Sequence, residues 1–178
     1  PRTGHQRQPT LRATIAWSYR ILTPPEQHLF ARLSVFAGGF DLAAAAAVAA
    51  DLNLETYDLL DLLTSLVDKS LVACDDSGTT TRYTMLETLR AYAAERLANE
   101  SIETVISRRY AHRDHYLWLA ETAAPQLRRA EQLTWFDRLD TEHDNPPAAI
   151  DTSADDQDPN PGRRPPTPLG EFGTRRGT

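Results

Sequence analysis

The sequence has a single cysteine, a single lysine and no long apolar segment among its 178 residues. One cysteine excludes an internal disulfide and a cysteine-rich zinc site, and we expect Cys74 to be a small buried residue on a strand. No apolar run approaches the roughly 20 residues that cross a bilayer, and the first residues lack the pattern of a signal peptide. These absences predict a soluble, cytoplasmic protein with no membrane partner.

Basic charge is also scarce, because 25 acidic residues stand against 19 basic ones and the formal net charge is -6. Sequence-independent binding to nucleic acid depends on a basic field that displaces counterions from the phosphates. The negative balance therefore argues against a protein that coats phosphate backbones.

Patterns for catalysis and metal binding are missing as well. No Ser/His/Asp or Cys/His set occurs at a meaningful spacing, and the pair His112 and His115 has no third metal ligand at a defined spacing. Lys69 stands in Val-Asp-Lys-Ser without the glycine-rich lead-in of the phosphate loop G-x-x-x-x-G-K-[ST]. We therefore predict no enzyme, no metal site and no cofactor bound by this chain itself.

The ordered part of the chain is predicted to be mainly α-helical with one small β-hairpin. Thr23 and Glu26 fit a capping box, and Asp41 fits a helix N-cap. Helical periodicity predicts helices over 10–22, 24–34, 42–50, 55–69, 86–99, 103–123 with a break at Pro125, and 129–144, and the period changes to strands over 70–74 and 80–85. Helices followed by a hairpin are the order of a winged helix.

Composition divides the chain into four segments. We expect a linker over 1–9, a winged-helix domain over 10–99, a helical arm that starts TPR-like repeats over 100–145, and a tail over 146–178. Seven of the twelve prolines lie in this tail, and apolar residues are rare there. Because so few apolar side chains cannot offset the entropy of ordering the backbone, the tail is predicted to be disordered or aberrant.

Several apolar positions are predicted to form the core. Leu63 and Leu66 on the fourth helix and Phe36 after the second helix are expected to be buried together under the hairpin. Trp17 and Trp135 lie in apolar stripes, as core anchors do.

The first arm helix carries a cluster of basic residues between aromatic ones. We expect Tyr110 and Leu117 to form its packing stripe, with the arginines on the solvated side; the alternative is a nucleic-acid surface. The basic residues are Arg108, Arg109, His112, Arg113 and His115.

Four stretches resemble one bacterial family and occur in the family's order. They are TLRATIAWSYRILTPPEQHLFARLSVFAGGFDLAAAAAV, LLDLLTSLVDKSLV, RYTMLETLRAYAAERL and EQLTWFDRLDTEHDN. Over about residues 8–145 they resemble the LuxR-type and related multidomain regulators that are built on a STAND-class (NB-ARC-like) ATPase. The resemblance implies ATP or ADP in an intact parent protein, whose nucleotide-binding and repeat domains would be the partners of this segment.

The family has a Met-His-Asp-like nucleotide sensor at the start of the helix after the hairpin. By the resemblance it falls on Met85, Leu86 and Glu87, so that leucine replaces the histidine and glutamate keeps the acid. Leu86 cannot donate the hydrogen bond that the family's histidine gives to the nucleotide β-phosphate. The alternative interpretation is that Met85 and Leu86 are core residues at the strand–helix junction.

The resemblance implies a regulatory interaction module, a fragment of a STAND-type ATPase transcriptional regulator that relays nucleotide state without catalysis of its own. One alternative is a stand-alone DNA-binding winged-helix transcription factor, and another is a degenerate fragment without activity. The fourth helix argues against direct DNA contact, because its acidic residues would repel phosphates. These residues are Glu55, Asp58, Asp61 and Asp68.

The end of the resemblance predicts an unpartnered surface. Pro146-Pro147 stands where the family continues with a helix, so we expect a frameshift or an early, degenerate terminus near residues 146–152. The last arm helix would then lack a neighbour, and its exposed apolar face would favour self-association. The residues of that face are Leu133, Trp135, Phe136 and Leu139.

The missing phosphate loop generates the first prediction. The isolated chain should neither bind nor hydrolyse ATP, because nothing in it provides the ring of backbone N–H groups and the lysine that hold the phosphates. Isothermal titration calorimetry with ATP and Mg²⁺ tests this, and saturable binding in the micromolar range would contradict it.

Overall fold

The computed structural model describes residues 7–128, 130 and 132–146, and within them the chain is mostly helical with one antiparallel hairpin. The helices are α1 (Arg7–Arg20), α2 (Pro24–Arg32), α3 (Leu42–Val48), α4 (Thr56–Asp68), α5 (Glu87–Ala98), α6 (Ile102–Gln126) and α7 (Gln132–Thr141). The strands are β1 (Ala73–Asp75) and β2 (Arg82–Thr84). The predicted fold class, helices with a small hairpin in winged-helix order, is confirmed. The predicted tail lies, apart from Pro146, outside the described residues.

The capping box at the start of α2 also joins two helices. The N–H of Thr23 donates to Glu26 Oε2 at 2.7 Å, as predicted from Thr-Pro-Pro-Glu. The other carboxylate oxygen of Glu26 accepts from Lys69 and from the Ser65 hydroxyl of α4. Burial raises the pKa of Glu26, but these hydrogen bonds outweigh it and hold the pKa at about 2.

The core lies between the helices and the hairpin. Leu63, Leu66 and Phe36 are all buried in one apolar cluster, as predicted. The Phe36 ring stacks on Phe40 with 4.5 Å between centroids. Phe40 in turn pairs with Tyr83 of β2 through two backbone hydrogen bonds of 2.9 and 2.8 Å. The segment after α2 thus extends the sheet.

Gly38 and Gly39 are required for close packing rather than for a left-handed turn, since neither has a positive φ. A Cβ at Gly38 would lie 2.9 Å from the Cβ of Asp144, at the far end of the arm. A Cβ at Gly39 would lie 3.1 Å from Cγ2 of Thr84. The two glycines therefore allow the arm and β2 to approach the same segment.

The strands are shorter than the sequence predicts. Ser70 adopts a left-handed conformation, with φ of 57°. The N–H groups of Leu71 and Val72 then donate to Leu66 at the end of α4 rather than to a strand. Cys74 was predicted to be buried and is exposed, because β1 is the outer strand beside β2 and all three of its residues face solvent.

The prediction for Trp17 is also wrong. Its side chain is 58% exposed, and Leu11 and Ile21 are exposed with it, whereas Ile15 and Leu22 enter the core. α1 begins at Arg7 and lies against α5, where the Arg12 guanidinium contacts Glu95. α1 therefore buries only a narrow stripe, with Ile15 in the core and the Tyr19 ring against Phe30 of α2 and Tyr92 of α5.

The inward face of α6 differs from the predicted one. Arg108, His112 and Tyr116 are buried, whereas Leu117 is exposed and Tyr110 is only half-buried. Partners on other elements make this face possible, because the Val48 carbonyl and Asp51 accept from Arg108, and Glu142 accepts from Tyr116. The helix also continues through Pro125 to Gln126, since proline in the last turn removes only one hydrogen bond.

Only half of the apolar face predicted for the last helix is exposed. Leu133 is 78% exposed and Phe136 is exposed as well, but Trp135 and Leu139 pack against the core. α7 also ends at Thr141, earlier than predicted. No helix among the described residues is both long and apolar enough to cross a membrane.

Truncation of a core leucine should be costly. Leu63→Ala should lower the free energy of unfolding by about 2–5 kcal/mol, because the side chain is fully buried and leaves a cavity. Leu60→Ala on the same helix is the control, since Leu60 is partly exposed. Urea denaturation measures both, and similar losses for the two variants would contradict the placement of Leu63.

Candidate regulatory interface

The segment after α7 returns to the winged-helix part and buries two of its residues there, whereas His143 and Asp144 between them stay exposed. Asn145 is 1% exposed and Glu142 is 5% exposed, although the ten residues of α7 itself include none that is fully buried. We call Glu142, Asn145, Arg82, Tyr116 and the backbone of residues 37–39 the arm latch. It joins the end of the arm to β2, to α6 and to the segment after α2.

Asn145 makes hydrogen bonds with both ends of its amide. Its Oδ1 accepts from the N–H groups of Ala37 and Gly38, each at 3.1 Å. Its Nδ2 donates to the carbonyl of Gly39 at 2.8 Å and to Glu142 at 3.2 Å. One side chain therefore satisfies three backbone groups that lie more than 100 residues away in sequence.

Glu142 is the acidic centre of the latch. It forms an ion pair with Arg82 of β2 and accepts from the Tyr116 hydroxyl at 3.1 Å. Arg82 also donates to the Gly39 carbonyl at 2.8 Å. Burial raises the pKa of Tyr116, and the charge of Glu142 adds to this effect, so Tyr116 stays a hydrogen-bond donor over the whole working range of pH.

His112 lies directly beneath the latch. Its ring contacts Phe36 and Tyr116 with centroid distances of 5.2 and 4.9 Å, and its Nε2 is buried without a hydrogen-bond partner. Burial, reinforced by the charge of His115, lowers the pKa of His112 to about 4 despite a side-chain hydrogen bond with Asn145. The imidazole is therefore neutral at pH 7.

A second polar cluster fixes the other end of α6. Arg32 of α2 and Arg108 of α6 both contact Asp51, at 2.7 and 3.0 Å, and Arg32 also contacts Glu100. Arg108 donates to the Val48 carbonyl at the end of α3 as well. Burial raises the pKa of Asp51, but the Arg32 hydrogen bond and the Arg108 charge lower it overall, so the buried arginines keep a charged partner.

The sensor-like residues lie at the start of α5 and form none of the latch contacts. Met85 packs against the core in part, whereas Leu86 is the N-cap and is 70% exposed. Glu87 is exposed and pairs with Arg90. The interpretation of Leu86 as a core residue is therefore wrong, and its side chain is accessible to another domain.

The surface of α4 and the hairpin is acidic. α4 contains no lysine or arginine, and Glu55, Asp58, Asp61 and Asp68 are all exposed along it or at its ends. The two basic residues that follow, Lys69 and Arg82, are both engaged by buried carboxylates. In the helix-turn-helix arrangement this helix is the one that would enter a DNA groove.

Among residues 7–128, 130 and 132–146 no group of three His, Cys, Asp or Glu side chains is placed to hold an ion. His112 is buried against Phe36 and Tyr116, and His115 contacts Tyr116 and Trp118.

Sequence reasoning missed the arm latch. The motif Glu142-His143-Asp144-Asn145 was part of the resemblance, but only the exposed face of α7 was derived from that region. Two signals were available in the sequence: the adjacent glycines Gly38 and Gly39, and a polar tetrapeptide placed before Pro146. Adjacent glycines often mark a close backbone approach, but they do not identify what approaches.

Comparison with known proteins identifies the fold. Residues 22–98, which run from the end of α1 to the end of α5, match the profile of the winged helix-turn-helix domain. The chain is 49% identical over 145 residues to a protein of Mycobacterium tuberculosis H37Rv that is named as an HTH-type transcriptional regulator, and to its Mycobacterium bovis counterpart. An uncharacterized M. tuberculosis protein is 41% identical over 102 residues. No solved structure matches the chain.

These alignments cover most of the chain but little of the relatives. The first covers 82% of this chain and 16% of the mycobacterial regulator, and the second covers 57% of this chain and 26% of its relative. The chain thus spans about one sixth of the length of the regulators that it matches. It contains a winged helix-turn-helix domain and is homologous to a segment of HTH-type transcriptional regulators.

Acid should destabilise the fold through His112. Its pKa is about 4 in the folded state and about 6.5 when unfolded, so the unfolded state binds more protons between these values and stability falls as the pH falls. The loss should be about 2 kcal/mol between pH 7.5 and pH 5, measured by urea denaturation.

Two variants identify the source of this loss. His112→Phe should reduce it, since the buried ring no longer titrates; burial lowers the pKa of His115 in the same direction and leaves a residual slope. His143→Gln, at an exposed position, should keep the full loss. Identical pH profiles for the two variants would contradict the assignment.

Proposed function

We propose that this chain is a regulatory interaction module of a STAND-type ATPase transcriptional regulator, which relays nucleotide state through contacts and has no catalysis of its own. The observation that carries the proposal is the acidic surface of α4. A helix that exposes carboxylates and no free basic side chain fits a protein partner, because phosphates would be repelled.

The surroundings of α5 support the same role. If the resemblance holds, Met85, Leu86 and Glu87 face the nucleotide-binding module of the parent protein. Exposure of Leu86 at the N-terminus of α5 makes such a contact sterically open. The domain meets the arm through the latch, whose Arg82 lies on the strand that leads into α5, so the α5 start and the arm belong to one packed unit. A signal received at α5 would then reach the repeat domain through packed elements.

Direct DNA binding is the second candidate function. Its support is the match to the winged helix-turn-helix profile and the homology to mycobacterial proteins that are named as HTH-type transcriptional regulators. In this alternative α4 would enter the major groove and the β1–β2 hairpin would contact the backbone. The scarcity of available cations on both elements opposes it.

A binding assay separates the two candidates. In fluorescence anisotropy with a labelled 30-base-pair duplex, the chain should show no binding at 50 mM salt up to about 100 µM, the weak end of ordinary non-specific affinity. Electrostatic repulsion at α4 is the reason. Saturable binding that weakens as salt rises would overturn the proposal in favour of the transcription-factor alternative.

A charge reversal tests whether α4 is the reason. Asp58→Lys with Asp61→Lys should create salt-dependent binding, since it places cations where a recognition helix has them. The matched control is Glu121→Lys with Asp137→Lys, which changes the net charge equally at exposed positions on α6 and α7. Equal gains in both double variants would indicate net charge rather than the surface of α4.

A further inference from the structure

α7 depends on polar contacts beyond its own end. Leu133 and Phe136 are exposed, and Trp135 and Leu139 are only partly buried, so apolar burial holds this helix weakly. The residues that follow it carry the fully buried groups. An element fixed by one compact polar site can detach at that site without loss of the main core.

We propose that the arm latch is a detachable recognition site within the chain: a notch formed by the backbone of residues 37–39, Arg82 and Tyr116 selects a Glu-x-x-Asn turn. Opening of the notch releases α7 and uncovers Arg82. This inference rests on the proposed relay function. In that function the latch is the contact through which the hairpin and the arm affect each other.

The notch is selective by its donors and acceptors. Two N–H groups and one carbonyl of residues 37–39 face Asn145, and a carboxamide is the side-chain group that accepts from the first two and donates to the third. An aspartate at this position would lose the donor and would place a second carboxylate beside Glu142. The absent Cβ of Gly38 leaves the space that the Asp144 side chain occupies.

The same contact controls whether the positive charge of Arg82 on the hairpin is exposed. Arg82 is the one lysine or arginine between Ala73 and Thr84, and in the closed latch its guanidinium is shielded by Glu142 and by the Gly39 carbonyl. The open latch would present this guanidinium and the N–H groups of Ala37 and Gly38 together. That set of donors suits a carboxylate or carboxamide of another polypeptide segment.

Hydrogen–deuterium exchange of the full chain, read peptide by peptide, tests the proposal. Gly38→Ala should raise the exchange rate of α7 at least about tenfold, because the new Cβ forces Asp144 away, while α2 and α4 keep their protection. Gly78→Ala is the matched control, since a Cβ there meets nothing closer than 3.8 Å, and its α7 should exchange like that of the wild type. Asn145→Asp should reproduce the effect of Gly38→Ala.

Energetic coupling between Arg82 on the hairpin and Glu142 on the arm provides a second readout. Arg82→Gln and Glu142→Gln should each accelerate exchange in α7, and their effects should be less than additive in the double variant, since both remove the Arg82–Glu142 ion pair. Additive effects, or no change in α7 in any variant, would overturn the proposal. Equal acceleration over α2, α4 and α7 would also overturn it, because the contacts would then be part of the global fold. DNA binding does not enter this readout, so the relay can fail in the anisotropy assay while the latch result stands.

Discussion

The bond between the Asn145 amide and the backbone of residues 37–39 is the constraint on which the arrangement of the arm depends. It closes a loop of more than 100 residues, whose entropic cost must be offset by buried contacts at both ends. The segment that it holds also carries Phe40, which pairs with Tyr83 and stacks on Phe36. A disturbance at Asn145 therefore reaches both the hairpin and the core with few intermediate contacts.

Two polar sites attach the arm, and they differ in strength. At the base of α6, Arg108 is buried between the α3 carbonyl of Val48 and Asp51, which Arg32 shares. Removal of one partner there would leave a buried charge uncompensated, and such losses are large. At the far end, the latch holds α7 through amide and carboxylate contacts without a fully buried apolar residue in that helix. The proximal arm is thus part of the domain, and the distal arm is the part that can separate.

Local rules predicted the elements well because their causes are local. The box of Thr23 and Glu26 and the cap at Asp41 need only a few neighbouring residues, and both form as expected. The inward face of α6 could not be predicted in this way, because Arg108 is buried by partners on α3 and its flanking turn, 57–60 residues away in sequence. The predicted burial of Trp17 and Cys74 was wrong for a related reason. Periodicity identifies an apolar stripe or a strand, but it does not show whether another element covers it.

Fold and charge give different kinds of information about this domain. The helix-turn-helix arrangement fixes where α4 and the hairpin project, and homologous proteins with other side chains at these positions can meet DNA with the same backbone. In this chain the exposed carboxylates of α4 would repel a phosphate. The two cations that flank α4 do not offset this repulsion, because Lys69 is paired with Glu26 and Arg82 with Glu142. The two pairs join different elements: Lys69–Glu26 joins the end of α4 to α2, and Arg82–Glu142 joins β2 to the end of the arm. Freeing one cation therefore requires movement of α2 against α4, which the core resists, and freeing the other requires only movement of the arm.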